Sequence, residues 1–426
     1  MALAGVGAGV NELTALAATS EMAPTASRGK YVAILIFTIL PFCPSVLWAQ
    51  LIAQYGTWRY VGLFCGVWAF IGLVMTVIFY HPPPRVNSSG LSRMEIIKRV
   101  DWIGGLLSVA GVIIFIAGLL WGGYMYPWSD AHVIGSLVVG GVLLVAFVLW
   151  EIFGAKYPMF PRRLGKNPRI LVLTLIITFI SGANFFSVLL FWPTQAFNVY
   201  GHDPVGVGLR GLPIGFSILA GACIVLVLLS MRISIRVLMV VSSVFMVAGC
   251  GALAAATPDN IAAVYVILVI AGLGIGGIVV PASIITTIIC PDDLIATIAA
   301  LTLAIRVIGG AIGYTTYYNV FYARIVPAIT EKISLACFSV GIYNATRIFQ
   351  IATYTGASVL PPILALAGNN VTKYNIIVRA GQEAFADSYP IVYYTSIAFG
   401  GIALICSCFL GDISQYMDDH VAVVMH

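Results

Sequence analysis

Charged residues are scarce in this chain of 426 residues, where Asp, Glu, Lys and Arg together make up 9% of the composition. An average soluble domain carries about 25% charged residues. Hydrophobic residues account for 61% of the chain, and its mean hydropathy is +1.03. A soluble domain of this composition would expose apolar surface and aggregate, so the scarcity of charge excludes that class. The sequence therefore predicts an all-α polytopic membrane protein whose partner is the lipid bilayer.

The residue types on which enzymes and metal sites depend form no pattern. The eight cysteines lie mostly in apolar runs without paired spacing, so neither a disulfide framework nor a metal site is predicted. His81, His132 and His202 lie at loop ends and no Ser/His/Asp arrangement is found, so we predict no enzyme activity and no cofactor. Basic residues form no stripe with interleaved aromatics, which excludes nucleic acid as a partner. The first residues lack the basic segment of a signal peptide, and no oligomeric state is predicted.

Long apolar runs are what the sequence does contain. A membrane-spanning helix needs about 20 mostly apolar residues. The stretch 334–366 is apolar too, but Arg347 and Pro361-Pro362 interrupt it, so we interpret it as a membrane-associated part of a long loop, 320–389. Eleven uninterrupted runs lie at residues 3–20, 31–52, 60–80, 102–122, 132–151, 170–192, 211–230, 236–256, 261–281, 294–318 and 390–411.

The loops between these runs differ in positive charge. One alternate set contains thirteen Lys and Arg residues, and the other contains only Arg59 and Arg210. Because Lys and Arg are retained on the cytoplasmic side, the richer set predicts the cytoplasmic loops. Met1 and loop 320–389 are then external, and the acidic tail 412–426 is cytoplasmic. The thirteen residues are Arg28, Lys30, Arg85, Arg93, Lys98, Arg99, Lys156, Arg162, Arg163, Lys166, Arg169, Arg232 and Arg236.

Three glycosylation sequons test this orientation. Asn344-Ala-Thr and Asn370-Val-Thr both fall in the predicted external loop, where glycans are added. Asn87-Ser-Ser falls in a predicted cytoplasmic loop and is expected to stay unmodified. Asn344 and Asn370 are therefore the candidate glycosylation sites.

The opening of the chain has a later counterpart. GVGAGVNELTALAATSEMAP (5–24) aligns without a gap with GLGIGGIVVPASIITTIICP (272–291), at a constant offset of 267. This similarity indicates two parallel repeats, as in major facilitator transporters, while chance similarity between two glycine-rich helices is the alternative. The matched residues are Gly5, Gly7, Gly9, Thr19 and Pro24 with Gly272, Gly274, Gly276, Thr286 and Pro291.

Counting helices from the repeat predicts the domain organisation. The later copy lies in the fourth span of a six-span bundle, so the opening helix is expected to be the fourth of an earlier bundle that lacks its first three. Eleven spans present and three absent give fourteen, the layout of drug:proton antiporters with the major facilitator fold, in which a two-helix linker joins two bundles. The predicted domains are the remnant of the first bundle (1–80), cytoplasmic loops and linker (81–168), the second bundle (169–411) and the tail (412–426).

The glycine patterns favour helix packing over nucleotide binding. A phosphate-binding GxGxG needs a preceding strand and a solvated pocket, and neither is predicted here. Small residues in a membrane helix let neighbouring backbones approach closely. The segment RVIGGAIG (306–313) has the same character as the two repeat copies. The predicted packing glycines are Gly5, Gly7, Gly9, Gly272, Gly274, Gly276, Gly309, Gly310 and Gly313.

Two ionisable residues lie well within predicted spans, where lipid makes charge costly. Glu12 is a candidate proton-binding carboxylate; the alternatives are a structural hydrogen bond or a position beside a water-filled vestibule. Arg306 is a candidate contact for an anionic substrate, and the alternative is packing with hydrogen bonds to backbone carbonyls. Gly310, Gly313 and Tyr317 follow Arg306 on one helical stripe.

A polar and aromatic segment ends the sixth span. Asn184 and Gln195, together with Phe185 and Phe186, suit a cavity for a bulky, partly apolar molecule. Trp192 would suit the same cavity, but for Trp192 and Tyr200 we favour the alternative that they belong to the aromatic belt at the membrane surface.

Five segments match a known family in loops as well as helices. On these segments the sequence resembles the fungal major facilitator transporters of the trichothecene efflux pump family, from residue 5 to about residue 415, with siderophore transporters as near relatives. The segments are FYHPPPR (79–85), VDWIGGLLSVAG (100–111), LLWGGYMYPW (119–128), GANFFSVLLFWPTQAFNVYGHDPVGVGLRGLP (182–213) and GLGIGGIVVPASIITTIICPDDLIATIAALTLAIRVIGGAIGY (272–314).

The resemblance implies proton-coupled export of a sesquiterpenoid toxin or a similar small hydrophobic compound across a fungal plasma membrane. Against the family pattern we expect the first three helices to be missing, together with the gating motif between the second and third. The basic residue that similar transporters carry before the GxGxG would fall at about Met1. Siderophore-iron transport and a truncated, non-transporting membrane protein are the alternative functions.

Overall fold

The computed structural model of the protein describes residues 2–81, 93–161, 163–165 and 167–417. Within these ranges the regular secondary structure is helical, apart from an isolated bridge between Gly122 and Tyr126. Sequence predictions that fall outside the described residues are those on Met1, Arg85, Asn87, Arg162, Lys166 and the tail residues 418–426.

Seventeen α-helices make up the described ranges. Short 3₁₀ turns or a π-helical turn (Trp150–Gly154) extend or join several of them. The helices are α1 (Ala2–Met22), α2 (Arg28–Phe37), α3 (Ser45–Tyr55), α4 (Arg59–Phe79), α5 (Arg93–Lys98), α6 (Trp102–Trp121), α7 (Ala131–Leu149), α8 (Pro168–Tyr200), α9 (Pro204–Arg210), α10 (Leu212–Ser230), α11 (Ile235–Ala252), α12 (Ile261–Ile288), α13 (Ile295–Ser339), α14 (Ala345–Gly356), α15 (Pro361–Leu366), α16 (Val371–Ser388) and α17 (Pro390–Cys408).

Nine segments of the described chain are helical, long and apolar enough to cross a membrane. Each overlaps one of the eleven predicted runs, which confirms an all-α polytopic membrane protein. The segments are Arg59–Phe79, Trp102–Trp121, Ala131–Gly154, Pro168–Tyr200, Pro204–Ser230, Ile235–Ala255, Ile261–Ile288, Asp292–Ser339 and Val371–Cys408.

The first predicted run, 3–20, is helical but is not one of the nine. It forms α1, a helix of 21 residues. Asn11 and Glu12 lie at its centre and lower its hydropathy, because polar groups are costly to transfer into lipid. α1 therefore has the length of a spanning helix with an unusually polar middle.

The second predicted run, 31–52, is wrong as a single span. The structure divides it into α2 and α3, with a 3₁₀ turn (Leu40–Phe42) between them. Pro41 and Pro44 lie in this break. Proline has no backbone N–H to donate and restricts the residue before it, so two prolines three positions apart end one helix and delay the next.

The predicted external loop 320–389, with its apolar stretch 334–366, is wrong as a loop because most of it is helical. α13 continues to Ser339, and α14, α15 and α16 follow. Buried residues such as Ile329 and Ile333 recur at helical spacing through the second half of α13, so that half has its own apolar face. The charged residues between them conceal this pattern from a search for uninterrupted apolar runs.

Six helices pack around one core in the second half of the chain. α10 and α11 both pack on α12, α8 packs on α12, α13 and α17, and α11 also packs on α17. α6 and α7 pack against each other as a pair, and α6 touches α13. α1 lies on α13, α2 on α10, and α3 on α9, while α4 contacts α3 and has no buried residue. This packing does not test the predicted domain limits, which remain a prediction.

The glycines of α12 are sites of close helix approach. A Cβ atom built on Gly272, Gly274 or Gly276 would lie under 3.0 Å from a neighbouring helix, a separation that real Cβ atoms do not show. Glycine is therefore the residue that lets α10 and α11 reach this distance from α12. The nearest atoms are Ser217 Oγ for Gly272, Met246 N for Gly274 and Ile218 O for Gly276.

The glycines of α13 and α1 differ in their surroundings. On α13, a Cβ at any of the three predicted positions would also lie under 3.0 Å from an atom of α8. The aligned glycines of α1, at positions 5, 7 and 9, have no atom of the described residues within 4 Å of such a Cβ, so their packing role remains a prediction. The nearest α8 atoms are Phe179 O for Gly309, Phe186 Cδ2 for Gly310 and Ala183 Cβ for Gly313.

Arginines of the predicted cytoplasmic set stabilise the C-terminal ends of α12 and α17. The carbonyls there lack helical partners and carry partial negative charge, so a guanidinium donor is favourable. The donor–acceptor distances are 2.8 Å for Arg28 Nη1 to Thr287 O, 3.2 Å for Arg169 Nη2 to Phe409 O and 2.8 Å for Arg236 Nε to Leu410 O.

Asp412, just past α17, accepts hydrogen bonds from Ser414, which lower the pKa of its carboxyl.

Candidate functional site

The two ionisable residues singled out within the spans form an ion pair. Arg306 Nη2 on α13 donates a hydrogen bond to Glu12 Oε1 on α1. The Arg306 side chain is 11% exposed and the Glu12 side chain 53% exposed. The two residues lie 294 positions apart in the chain. The pair therefore connects the first helix with the six-helix core of the second half.

Both members of the pair lie well inside long apolar helical stretches. Glu12 is ten residues from either end of α1, which is about 15 Å along the helix axis at 1.5 Å per residue. Arg306 is eleven residues beyond Ile295, the start of α13, or about 17 Å. These distances are about half the roughly 30 Å thickness of a hydrocarbon core, so a helix that began at the membrane surface would carry either charge near the centre. An isolated charge there is costly, and pairing lowers that cost.

The backbone around Arg306 is held tightly. A Cβ on Gly182 of α8 would lie under 3.0 Å from the Arg306 carbonyl, and Gly309 meets the Phe179 carbonyl one turn further along. α8 and α13 therefore touch backbone to backbone at the depth of the ion pair. The guanidinium projects from a helix fixed in the core. Glu12 projects from α1, whose main contacts among the described helices are with α2 and α13. Of the two partners, Glu12 is thus on the less restrained helix.

Tyr317 and Asn184 form a second polar contact, inside the core. Tyr317 Oη donates a hydrogen bond of 2.9 Å to Asn184 Oδ1, and both residues are fully buried. The Tyr317 ring meets Phe399 edge to face, with the ring centroids 5.6 Å apart. Asn184 Nδ2 has no hydrogen-bond partner among the described residues. The contact joins α8 to α13 and leaves one polar atom unsatisfied.

Gln195 makes a similar contact further along α8. Tyr393 Oη on α17 donates a hydrogen bond to Gln195 Oε1, and Gln195 Nε2 has no partner in the described part of the chain. Gln195 follows Asn184 by eleven residues, which is three turns, so both amides lie on one face of α8. Tyr393 was not predicted, because nothing near it in the sequence distinguishes it from other aromatics in apolar runs.

The predicted site residues therefore separate into two groups. Arg306 and Tyr317 share a helix, but they bond to different partners. Asn184 and Gln195 are fully buried in the core, and their predicted role in lining a cavity stays a prediction. Trp192 is also fully buried, where its Nε1 donates a 2.8 Å hydrogen bond to the Arg210 carbonyl. This buried position does not match the interpretation of Trp192 as part of the aromatic belt at the membrane surface.

We expect Tyr317→Phe to destabilise the protein by about 1–3 kcal/mol, because it leaves the buried Asn184 Oδ1 without a donor. The double variant Tyr317→Phe/Asn184→Leu removes both polar groups and should recover much of that loss. Thermal unfolding in detergent measures both. Tyr343→Phe is the control, since Tyr343 is 74% exposed. Equal losses in the single and double variants would contradict the hydrogen bond's contribution.

Among the described residues, nine apolar segments and a glycine-packed core define a polytopic α-helical membrane protein, and an ion pair joins its first helix to that core. The sequence model of the fungal trichothecene efflux pump family (TRI12) matches residues 1–426. The chain belongs to this family.

Individual relatives agree with the family. The chain is 26% identical over 379 residues to trichothecene efflux pump TRI12 of Fusarium sporotrichioides, covering 87% of this chain and 63% of the relative. It is 24% identical to the pump of the same name from Trichoderma arundinaceum, covering 86% and 62%. It is 31% identical over 308 residues to efflux pump hmp6 of Hypomyces subiculosus, covering 68% and 53%. The chain thus spans less than two thirds of the length of these relatives.

Proposed function

We propose that this protein acts in proton-coupled efflux of a small hydrophobic secondary metabolite, such as a trichothecene, across the plasma membrane, and that it has no enzymatic activity. The family and the names of its relatives support efflux as the activity. The observation that carries proton coupling is the ion pair between Glu12 and Arg306.

Glu12 is the proton-binding group in this proposal. Protonation of its carboxylate removes the negative charge and with it the attraction to Arg306. α1 belongs to the predicted first bundle and α13 to the predicted second, and alternating access is a rocking of one bundle against the other. A contact that exists in only one protonation state therefore biases that rocking, as coupling requires.

An uncharged substrate fits this arrangement. Paired, Glu12 and Arg306 carry no net charge, so an apolar molecule near them need not supply a counter-ion. The substrate's own binding then depends on apolar contact and on a few polar groups, as in most small-molecule sites. An anionic ferric chelate would instead compete with Glu12 for Arg306.

We expect Glu12→Gln to reduce the dependence of transport on the pH gradient, because glutamine cannot exchange a proton. The assay uses membrane vesicles that contain the full chain, a radiolabelled trichothecene and an imposed pH gradient. Glu331→Gln is the matched control, since Glu331 is an exposed residue near the distal end of α13.

Three outcomes would count against parts of the proposal. A pH response that is unchanged in Glu12→Gln would exclude Glu12 as the coupling group. Movement of a labelled ferric siderophore in place of the trichothecene would support the siderophore alternative. No transport of either compound by the unmodified chain would support a non-transporting membrane protein.

A further inference from the structure

Asn344 and Asn370 occupy the same structural position in two different helices. Asn344 caps the N-terminus of α14, and its Oδ1 accepts a 3.1 Å hydrogen bond from Arg347 N. Asn370 caps α16 in the same way, with a 3.1 Å hydrogen bond from Lys373 N. A threonine follows each asparagine two positions later, so both caps are also Asn-X-Thr sequons.

The capping geometry leaves the reactive atom of each sequon accessible. A cap uses only the carbonyl oxygen of the asparagine side chain. The amide nitrogen Nδ2, to which an N-linked glycan attaches, makes no hydrogen bond to the described residues. Asn344 and Asn370 are both exposed, as are the sequon threonines Thr346 and Thr372. A glycan on Nδ2 is compatible with the cap, since Oδ1 remains an acceptor.

The length of α13 indicates that these helices lie beyond the membrane, which leaves α17 as the part of Val371–Cys408 that crosses it. Its 45 residues extend about 67 Å, more than twice the roughly 30 Å of a hydrocarbon core. Asn344 lies five residues past Ser339, at the distal end of this helix. The helices α14, α15 and α16 (the distal helices) therefore lie on the side to which α13 projects.

Charged contacts around the distal helices also indicate an aqueous setting. Arg379 of α16 pairs with Asp259 at 2.7 Å, and these side chains are 43% and 75% exposed. Lys332 of α13 pairs with Asp387 of α16. Exposed ion pairs of this kind are costly in lipid, so the segment that carries them lies in water.

We propose that Asn344 and Asn370 are N-glycosylated on the external side of the membrane, a modification that does not depend on the proposed transport function. Transfer forms a bond between the anomeric carbon of the sugar and Asn Nδ2. Nδ2 loses one proton, and a lipid diphosphate leaves the lipid-linked oligosaccharide that donates the glycan. The predicted loop charges place the distal helices outside, where such glycans are found.

The test is the electrophoretic mass of the full chain, carrying a C-terminal tag and made in a fungal host. Treatment with an endoglycosidase should lower the apparent mass by two discrete steps. Asn344→Asp and Asn370→Asp keep the capping acceptor but abolish the sequon. Each should remove one step, and the double variant should remove both. Thr346→Ser and Thr372→Ser keep the sequons and should retain both steps. Asn87→Asp, in the predicted cytoplasmic loop, should change nothing.

The result does not depend on the folding of any variant, because the unmodified chain alone must show the two steps. No mass change on its digestion would overturn the proposal. A single step that is lost in only one of the Asp variants would overturn the proposal for the other site. If Asn87→Asp removed a mass step while the Asn344→Asp/Asn370→Asp double variant kept both steps, the predicted orientation would be overturned as well.

Discussion

Gly276→Val should destabilise the folded protein by about 3 kcal/mol or more, the upper end of the range for overpacking. A Cβ at this position meets the Ile218 carbonyl of α10, which is backbone and cannot rotate away. α10 and α12 must then separate, and the neighbouring contacts of Gly272 on the same face are lost with them. Since whole domains are stable by only about 5–15 kcal/mol, this loss is a large fraction of the total, and the midpoint of thermal unfolding and the yield of folded protein should both fall.

Gly9→Val is the matched control for this prediction. Gly9 aligns with Gly276 in the repeat and also lies inside a helix, but in the described part of the chain no atom is within 4 Å of a Cβ at Gly9. The effect of valine on helix propensity is the same in both, so the difference between the variants measures packing against a neighbouring helix. Size-exclusion chromatography and thermal unfolding of each variant give the comparison. Equal losses would show that α1 also packs through its glycines, and equal tolerance would contradict the close contact of α10 with α12.

The membrane spans that could be predicted are those that a continuous run of apolar residues identifies by itself. Twenty consecutive apolar residues specify a spanning helix with little help from tertiary structure, and nine predicted runs match. The prediction of a single span at 31–52 failed although the run is apolar enough to cross a membrane. Pro41 and Pro44 interrupt the helical backbone there, and a hydropathy count does not register that effect. The second half of α13 was not predicted because its backbone is helical but its sequence is not continuously apolar. Its apolar residues recur at helical spacing, but Glu331 and Lys332 interrupt the run.

The candidate site shows a similar division. Glu12 and Arg306 could be found from the sequence because each is an isolated charge in an apolar run, where lipid makes charge costly. Their contact could not be found, because it depends on how α1 docks on α13. Tyr393 carries no sequence signal of its own. Its partner Gln195 is notable as a polar residue within a span, and only the packing of α8 against α17 relates the two.

Arg306→Glu should lower the stability of the protein and reduce any pH-dependent transport at least tenfold. The substitution places two carboxylates against each other within apolar helical stretches, where like charges are unfavourable. Removing one partner of a fully buried pair costs about 3–5 kcal/mol. The expected loss is smaller than this, because the Glu12 side chain is 53% exposed and water screens it. Arg324→Glu is the control on the same helix, since Arg324 is exposed.

The exchange Glu12→Arg/Arg306→Glu restores opposite charges at the two positions and should recover part of the stability lost in each single variant. The interaction energy from this double-mutant cycle separates the pair from the effect of each residue alone. Thermal unfolding is the primary measurement, because it requires the fold but not transport by this chain. Recovery of stability without recovery of pH-dependent transport would show that the ion pair stabilises the protein in either orientation, whereas proton exchange requires the carboxylate on α1. Strictly additive losses would show that Glu12 and Arg306 act independently, and the proposed coupling between α1 and α13 would be wrong.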